Sequence, residues 1–144
     1  MADSADLLAL ENQVCFALAV ASRSVNAIYR PLLEPLGLTH PQYLVMLALW
    51  ERSPRSVREL GDELQLDPAT LSPLLKRLEA LGYVARRRST SDERVLEIST
   101  TDAGAALRAQ AESIPPRVIA RLEMDLAELE TLRGALHRVI AAAR

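Results

Sequence analysis

SVRELGDELQLDPATLSPLLKRLEALGYVARRRSTSDERVLEIS, residues 56–99, decides the fold. Ser56 followed three residues later by Glu59 has the spacing of a capping box, so a helix starts there. Val57, Leu60 and Leu64 share one face of that helix. Gln65 and Leu66 make a short turn. Asp67 then caps a second helix, with Pro68 at its first position, where the missing N–H costs nothing. Leu71, Leu74, Leu75, Leu78 and Leu81 recur at helical spacing, and Gly82 ends the helix in a left-handed conformation. Pro73 lies inside this helix. It is expected within the first two turns, where only part of the hydrogen-bond ladder is lost. After Gly82 the period changes to two. Residues 83–88 and 94–99 read as strands, Leu96 and Ile98 share a face, and residues 89–93 form the polar connection.

Helix, turn, helix and hairpin in that order make a winged helix-turn-helix, a plan used to read DNA. The charge agrees. Residues 68–94 hold six basic side chains against three acidic ones, within a chain of formal net charge −2. A local basic surface on an acidic scaffold suits a defined nucleic-acid partner better than indiscriminate coating. The second helix turns Thr70, Ser72, Pro73, Lys76 and Arg77 away from its leucine face. Thr70 and Ser72 are placed to read base edges, and Lys76 and Arg77 to hold phosphate. In the wing, Arg86, Arg88 and Arg94 suit a backbone or a minor groove, because a guanidinium is a planar fork of donors. Arg94 is the residue assigned to the groove.

The flanks are helical. Residues 5–30 read as one long helix, whose VCFALAVA section is apolar all round. A helix of that kind needs cover on every side, which a 144-residue chain hardly supplies alone, so a partner chain is implied. Pro31 and Pro35 are expected to break it. Thr39 and Gln42 form a capping box for a helix over residues 41–52, with Leu44, Leu47 and Leu49 inside and Trp50 as an anchor. Thr100 or Thr101 caps a further helix, which Pro115-Pro116 interrupts or kinks. Asp125 and Glu128 open the last one, with an apolar stripe of Leu129, Leu132, Leu136, Val139 and Ile140. The expected architecture is mainly α with a small β-wing. Residues 39–100 form the DNA-reading lobe, and residues 1–38 and 101–144 a helical dimerisation region. A two-fold dimer presents two reading helices about 34 Å apart, so the operator should be a pseudo-palindrome of double-stranded DNA.

Composition narrows the rest. A single cysteine allows no internal disulfide and fits a reducing cytoplasm. The acidic start has no basic n-region of a signal peptide, and the apolar run of residues 14–21 is too short to span a bilayer. No Cys/His cluster has metal spacing, and no cofactor is expected. His137 reads as a packed or surface residue.

With DERVLEISTTDAG at the wing and following helix, the chain resembles the MarR family of transcriptional regulators along essentially its whole length. LENQVCFALAVASRSVNAIYRPLLEPLGLTHPQYLVMLALWE resembles more closely the branch that senses organic hydroperoxides. That resemblance implies a homodimeric repressor whose first-helix cysteine, matching Cys15, is oxidised, after which the protein leaves its DNA. It pairs Asp92 with Arg94 at the wing tip. It also places tyrosines from the partner subunit around the cysteine. Tyr29 matches one of them, whereas His40 and Ala19 stand where two others are usual. No second cysteine is present to resolve a sulfenic acid, so a low-molecular-weight thiol is the implied partner, with over-oxidation as the other fate.

The residues alone say less about Cys15. A lone cysteine on an apolar helix is commonly packing. None of its neighbours one turn away (Glu11, Asn12, Leu18, Ala19) is cationic, and in a helix begun at residue 5 it lies too deep to feel the N-terminal dipole. Tyr29 is roughly 21 Å further along the same helix, so the two meet only across a dimer. There Tyr29 and His40 could hydrogen-bond a thiolate, and a protonated His40 could add charge. Three other functions stay open at this point: a regulator released by a small aromatic ligand with Cys15 inert, a thiol peroxidase, and a helical adaptor without a DNA role.

Overall fold

The structure is a computed structural model describing residues 6–144. The chain forms two compact units, Met1–Glu112 and Ser113–Arg144. The first contains α1 (Val14–Leu33), α2 (His40–Glu51), β1 (Arg55–Ser56), α3 (Val57–Leu64), α4 (Pro68–Ala80), β2 (Val84–Arg88), β3 (Leu96–Thr100) and α5 (Asp102–Ala111). The second contains α6 (Ile114–Leu122) and α7 (Leu126–Ala143).

The reading lobe forms as its sequence dictates. Ser56 accepts from the Glu59 N–H and caps α3. The capping box is only half made, because the Glu59 carboxylate turns to Arg52 at 2.7 Å instead. Gln65, at φ 57°, reverses the chain, and Asp67 caps α4 by accepting the Thr70 N–H at 2.7 Å. Pro68 is the first residue of α4 and Pro73 the sixth, within the first two turns. At the far end Gly82 adopts φ 83°. Its N–H bonds the Glu79 carbonyl and that of Tyr83 bonds Leu78, the paired closure of a Schellman motif. Leu60, Leu71, Leu75 and Leu78 are buried, with Val84 and Ile98 covering them from the sheet. Leu60 has no exposed surface at all. Leu60→Ala is therefore expected to destabilise the fold by about 2–5 kcal/mol, read by denaturant unfolding.

Three expectations change. The sheet has three strands in the order β1-β3-β2, all antiparallel, with Arg55 opposite Ile98 and Arg86 also opposite Ile98 across the other edge. A two-residue strand is too short to show a period in sequence. In α2, Leu49 is buried and Leu44 half-buried, but Leu47 is 40% exposed. Gln42, Tyr43, Val45, Met46 and Ala48 complete the buried set.

The first helix also differs at both ends. Of the helix expected over residues 5–30, residue 5 lies outside the described residues. The described part begins as a turn and a short 3-10 segment, Leu10–Asn12, and α1 starts only at Val14. The Asn12 amide donates to the Asp6 carbonyl, and the Gln13 amide donates to those of Leu7 and Ala9. These side chains pull the segment back on itself and leave Gln13 extended. At the other end α1 continues through Pro31 to Leu33. A proline so near a C-terminus removes one bond without breaking the helix.

Trp50 donates from Nε1 to the Gly104 carbonyl at 2.8 Å and ties α2 to α5. Thr101, not Thr100, caps α5. In the second unit Pro115 and Pro116 sit in the first turn of α6, so they separate two helices rather than kink one. Asp125 and Glu128 make the full capping box of α7. In the single chain Leu33 is the one buried residue of α1, and α7 has none.

Candidate DNA interface and sensor site

One face of α4 carries the buried leucines, and the other carries the candidate reading residues. Thr70, Pro73, Lys76 and Arg77 are exposed and Ser72 is half-buried. Asp67 fixes where this face begins. Its bonds from Thr70 hold the carboxyl below the usual carboxylate range, so the cap is charged at neutral pH.

The wing sorts its arginines. Arg94 folds over Asp92, donating from Nε at 3.2 Å and from Nη2 at 3.3 Å, while the Arg94 N–H also reaches Asp92 at 3.0 Å. The Asp92 carboxyl is held low by these bonds. The pair shapes the wing tip, yet the Arg94 side chain stays 90% exposed. A two-residue link leaves the guanidinium few orientations, so less freedom is lost on meeting a groove. Arg88 is exposed. Arg86 departs from its assignment, because its guanidinium is forked onto Glu79 of α4 at 3.0 and 3.2 Å. It braces the wing against the reading helix. Alternation explains this, since Arg86 shares a strand face with buried Val84. Arg87, absent from the sequence-based set, is exposed and in no ion pair among the described residues. Arg94→Ala is expected to reduce the slope of log K against log salt by about one per lobe. An unchanged slope would remove Arg94 from the contact set.

Cys15 is the second residue of α1 and is exposed. The sequence reading placed it too deep for the helix dipole. With α1 starting at Val14, it sits in the first turn, among N–H groups that have no acceptor within the helix. Tyr29 and His40 are brought together at the opposite end of α1, ring centroids 4.5 Å apart. Tyr43 joins them, at 5.7 Å from Tyr29 and 6.3 Å from His40. Sequence reading passed over Tyr43; the signal was its place one turn after His40 in the same helix. Fourteen residues of helix separate Cys15 from this cluster within one chain.

Burial pushes both phenols above their ordinary range, and Tyr43 is raised further by Tyr29. They are neutral donors at physiological pH. Burial lowers His40 below its usual 6.5, which favours the neutral imidazole in the single chain. The sign follows. The unfolded chain takes up a proton more readily, so His40 counts against the folded state as pH falls through 6.5 toward its folded value. An NMR titration of His40 in the Cys15→Ser protein, which carries no sulfur anion near the ring, should give a midpoint below 6.5; one above it would mean another anionic neighbour.

Among the described residues no group of acids, histidines and cysteine is arranged to hold a metal ion, and no helix is long and apolar enough to cross a membrane. A capped, basic reading helix braced to an arginine wing defines a winged-helix transcriptional regulator. Comparison gives the family. Residues 27–110 match the family described as transcriptional regulator SarA/Rot. The organic hydroperoxide resistance transcriptional regulator of Bacillus subtilis (strain 168) is 41% identical over 140 residues, covering 97% of this chain and 95% of that one. The HTH-type transcriptional regulator TtmR of Methylorubrum extorquens is 43% identical over 139 residues, 92% of this chain and 71% of its own. Among solved structures, reduced AbfR bound to DNA superposes with a TM-score of 0.77 at 34% identity, covering 93% and 94% of the two chains. Overoxidized AbfR bound to DNA gives 0.77 at 34% identity, covering 94% and 95%. The chain belongs to the MarR-type transcriptional regulators, in the branch of the organic hydroperoxide resistance regulator, and is not an enzyme.

Proposed function

We propose that this chain is a cytoplasmic homodimeric repressor that binds a pseudo-palindromic operator and releases it when an organic hydroperoxide oxidises Cys15. One observation carries the reading. Cys15 is open on the positive end of α1, while the phenol and imidazole groups suited to hold a sulfur anion gather at the other end. A second chain laid antiparallel brings its Tyr29 and His40 to this Cys15 and completes two equal sites. The exposed apolar faces of α1 and α7, including Val14, Phe16, Leu132 and Ile140, are the surfaces such a dimer body needs. In each lobe Thr70, Ser72 and Pro73 face base edges, Lys76, Arg77 and Arg88 hold phosphate, and Arg94, shaped by Asp92, enters a groove.

The chemistry runs in two steps. The Cys15 thiolate attacks the outer peroxide oxygen, the O–O bond breaks, and the alkoxide leaves as an alcohol after taking a proton. The sulfenic acid then condenses with a low-molecular-weight thiol, giving a mixed disulfide and water. AbfR has been seen on DNA in its overoxidized form. That favours the bulkier mixed disulfide as the releasing species here. An added group at a packed interface moves helices rather than compressing them, and two lobes that must fit a fixed groove spacing lose their fit.

The test is operator binding by the reduced protein, repeated after cumene hydroperoxide with and without a small thiol. Release that needs the thiol supports the scheme. Unchanged affinity in a protein shown by mass spectrometry to carry the mixed disulfide would falsify it.

A further inference from the structure

Glu79 stands one residue before the end of α4. The helix itself does not favour a carboxylate there, because the last turn is the negative end of the dipole and ordinarily takes a cation. The carboxylate is met instead from the wing. Arg86 of β2 donates from Nη2 to Oε1 at 3.0 Å and from Nε to Oε2 at 3.2 Å. Of the ion pairs among the described residues, this fork alone joins the reading helix to the wing. The strand dictates the meeting. Arg86 lies opposite buried Ile98 and shares a face with buried Val84, so its side chain leaves the sheet on the α4 side. Arg88, the next residue on that face, is exposed and in no ion pair among the described residues.

We propose that Glu79 is a specificity-determining residue, which holds Arg86 away from phosphate and so keeps affinity for non-operator DNA low relative to the operator. A carboxylate offers a guanidinium the same two-oxygen acceptor that a phosphate offers, so Glu79 occupies the donors that would otherwise grip the DNA backbone. The bonds from Arg86 hold the Glu79 carboxyl below its ordinary range, so the acceptor stays charged at neutral pH. Phosphate contacts carry no sequence information and supply essentially all non-specific binding. Withholding one cation per lobe therefore weakens binding to every sequence, while the operator alone keeps its base contacts. The same fork fixes the wing against α4. Thr70 and Ser72 are then presented together with Arg94, a preorganisation that helps only the sequence where all of them fit. Discrimination is a difference of two affinities, and lowering the weaker one widens it. The inference rests on the DNA-binding reading above and gives control over discrimination to an acidic side chain that itself binds no DNA.

The test measures the reduced protein on a selected operator duplex and on a scrambled duplex, each across a range of salt. On scrambled DNA, Glu79→Gln should steepen the slope of log K against log salt by about one per lobe and tighten binding about fivefold or more per lobe near 0.1 M salt. Operator affinity should rise less, so the ratio between the two duplexes falls. Adding Arg86→Gln to Glu79→Gln should return the slope to its native value, an outcome that a merely structural role for Glu79 does not produce. Glu93→Gln makes the same change in net charge at an exposed wing residue with no ion pair among the described residues, and should leave the slope unchanged. A native slope in Glu79→Gln, equal steepening by Glu93→Gln, or a steeper slope that survives the loss of Arg86 would overturn the proposal. A native protein with no preference for any duplex would overturn the DNA-binding reading as well; a native preference with an unmoved slope overturns the role of Glu79 alone.

Discussion

Cys15→Ser should bind operator as tightly as the native protein and remain bound through hydroperoxide and thiol, while the native protein loses about two orders of magnitude or more in affinity. The size follows from bivalency. A dimer whose lobes no longer fit both half-sites together keeps one lobe's affinity and forfeits the second, a loss of about 10²–10⁴. Serine matches the shape of cysteine and holds the same place in the first turn of α1, but its oxygen does not form the sulfenic acid. The comparison therefore removes one chemical step and leaves the rest of the molecule alone. Gel-shift titrations at fixed salt measure it, because phosphate contacts make affinity steeply salt-dependent. Equal release of both proteins would return Cys15 to a structural role and leave the repressor without its peroxide sensor.

The second large effect concerns α7. Leu132 is 44% exposed and Ile140 45% exposed in the single chain, on a helix with no buried residue. Leu132→Glu with Ile140→Glu places two charges on each copy of that face, and a desolvated unpaired carboxylate costs several kcal/mol. We expect a monomer by sedimentation at micromolar concentration and a fall in operator affinity of about two to four orders of magnitude. Far-UV circular dichroism should stay close to native, since neither residue belongs to the lobe's core. A variant that sediments as a dimer would place the dimer contact elsewhere.

Much of the lobe was legible because its signals are local. Asp67, Pro68 and Gly82 each announce an end of α4 through backbone chemistry that needs no tertiary context. The three capped starts at Thr39, Thr101 and Asp125 were readable for the same reason. What failed depended on partners far along the chain or on counting past a weak boundary. β1 exists because residues 97 and 98 lie beside it. Arg86 looked like its neighbours until Glu79, seven residues earlier, claimed its guanidinium. The start of α1 was missed because glutamine and asparagine side chains, folding back on carbonyls, mimic no cap pattern. That one boundary moved Cys15 from inside the expected helix to its first turn. The structure brings Tyr29 and His40 together, and the third ring at Tyr43 follows only from the packing of α1 on α2.

Tyr83 ties these parts together. Its hydroxyl donates to the Leu36 carbonyl at 3.0 Å, its N–H to Leu78 at the end of the reading helix, and its own carbonyl accepts from Thr101. Gly104 presses against that same carbonyl so closely that a Cβ would collide with it. In mechanical terms residue 83 is a pinned joint with three arms, one in the turn after α1, one in α4 and one in α5. A joint without slack passes on displacement instead of absorbing it. Gly104→Ala would push the Tyr83 carbonyl out of place and so strain all three arms of that joint together.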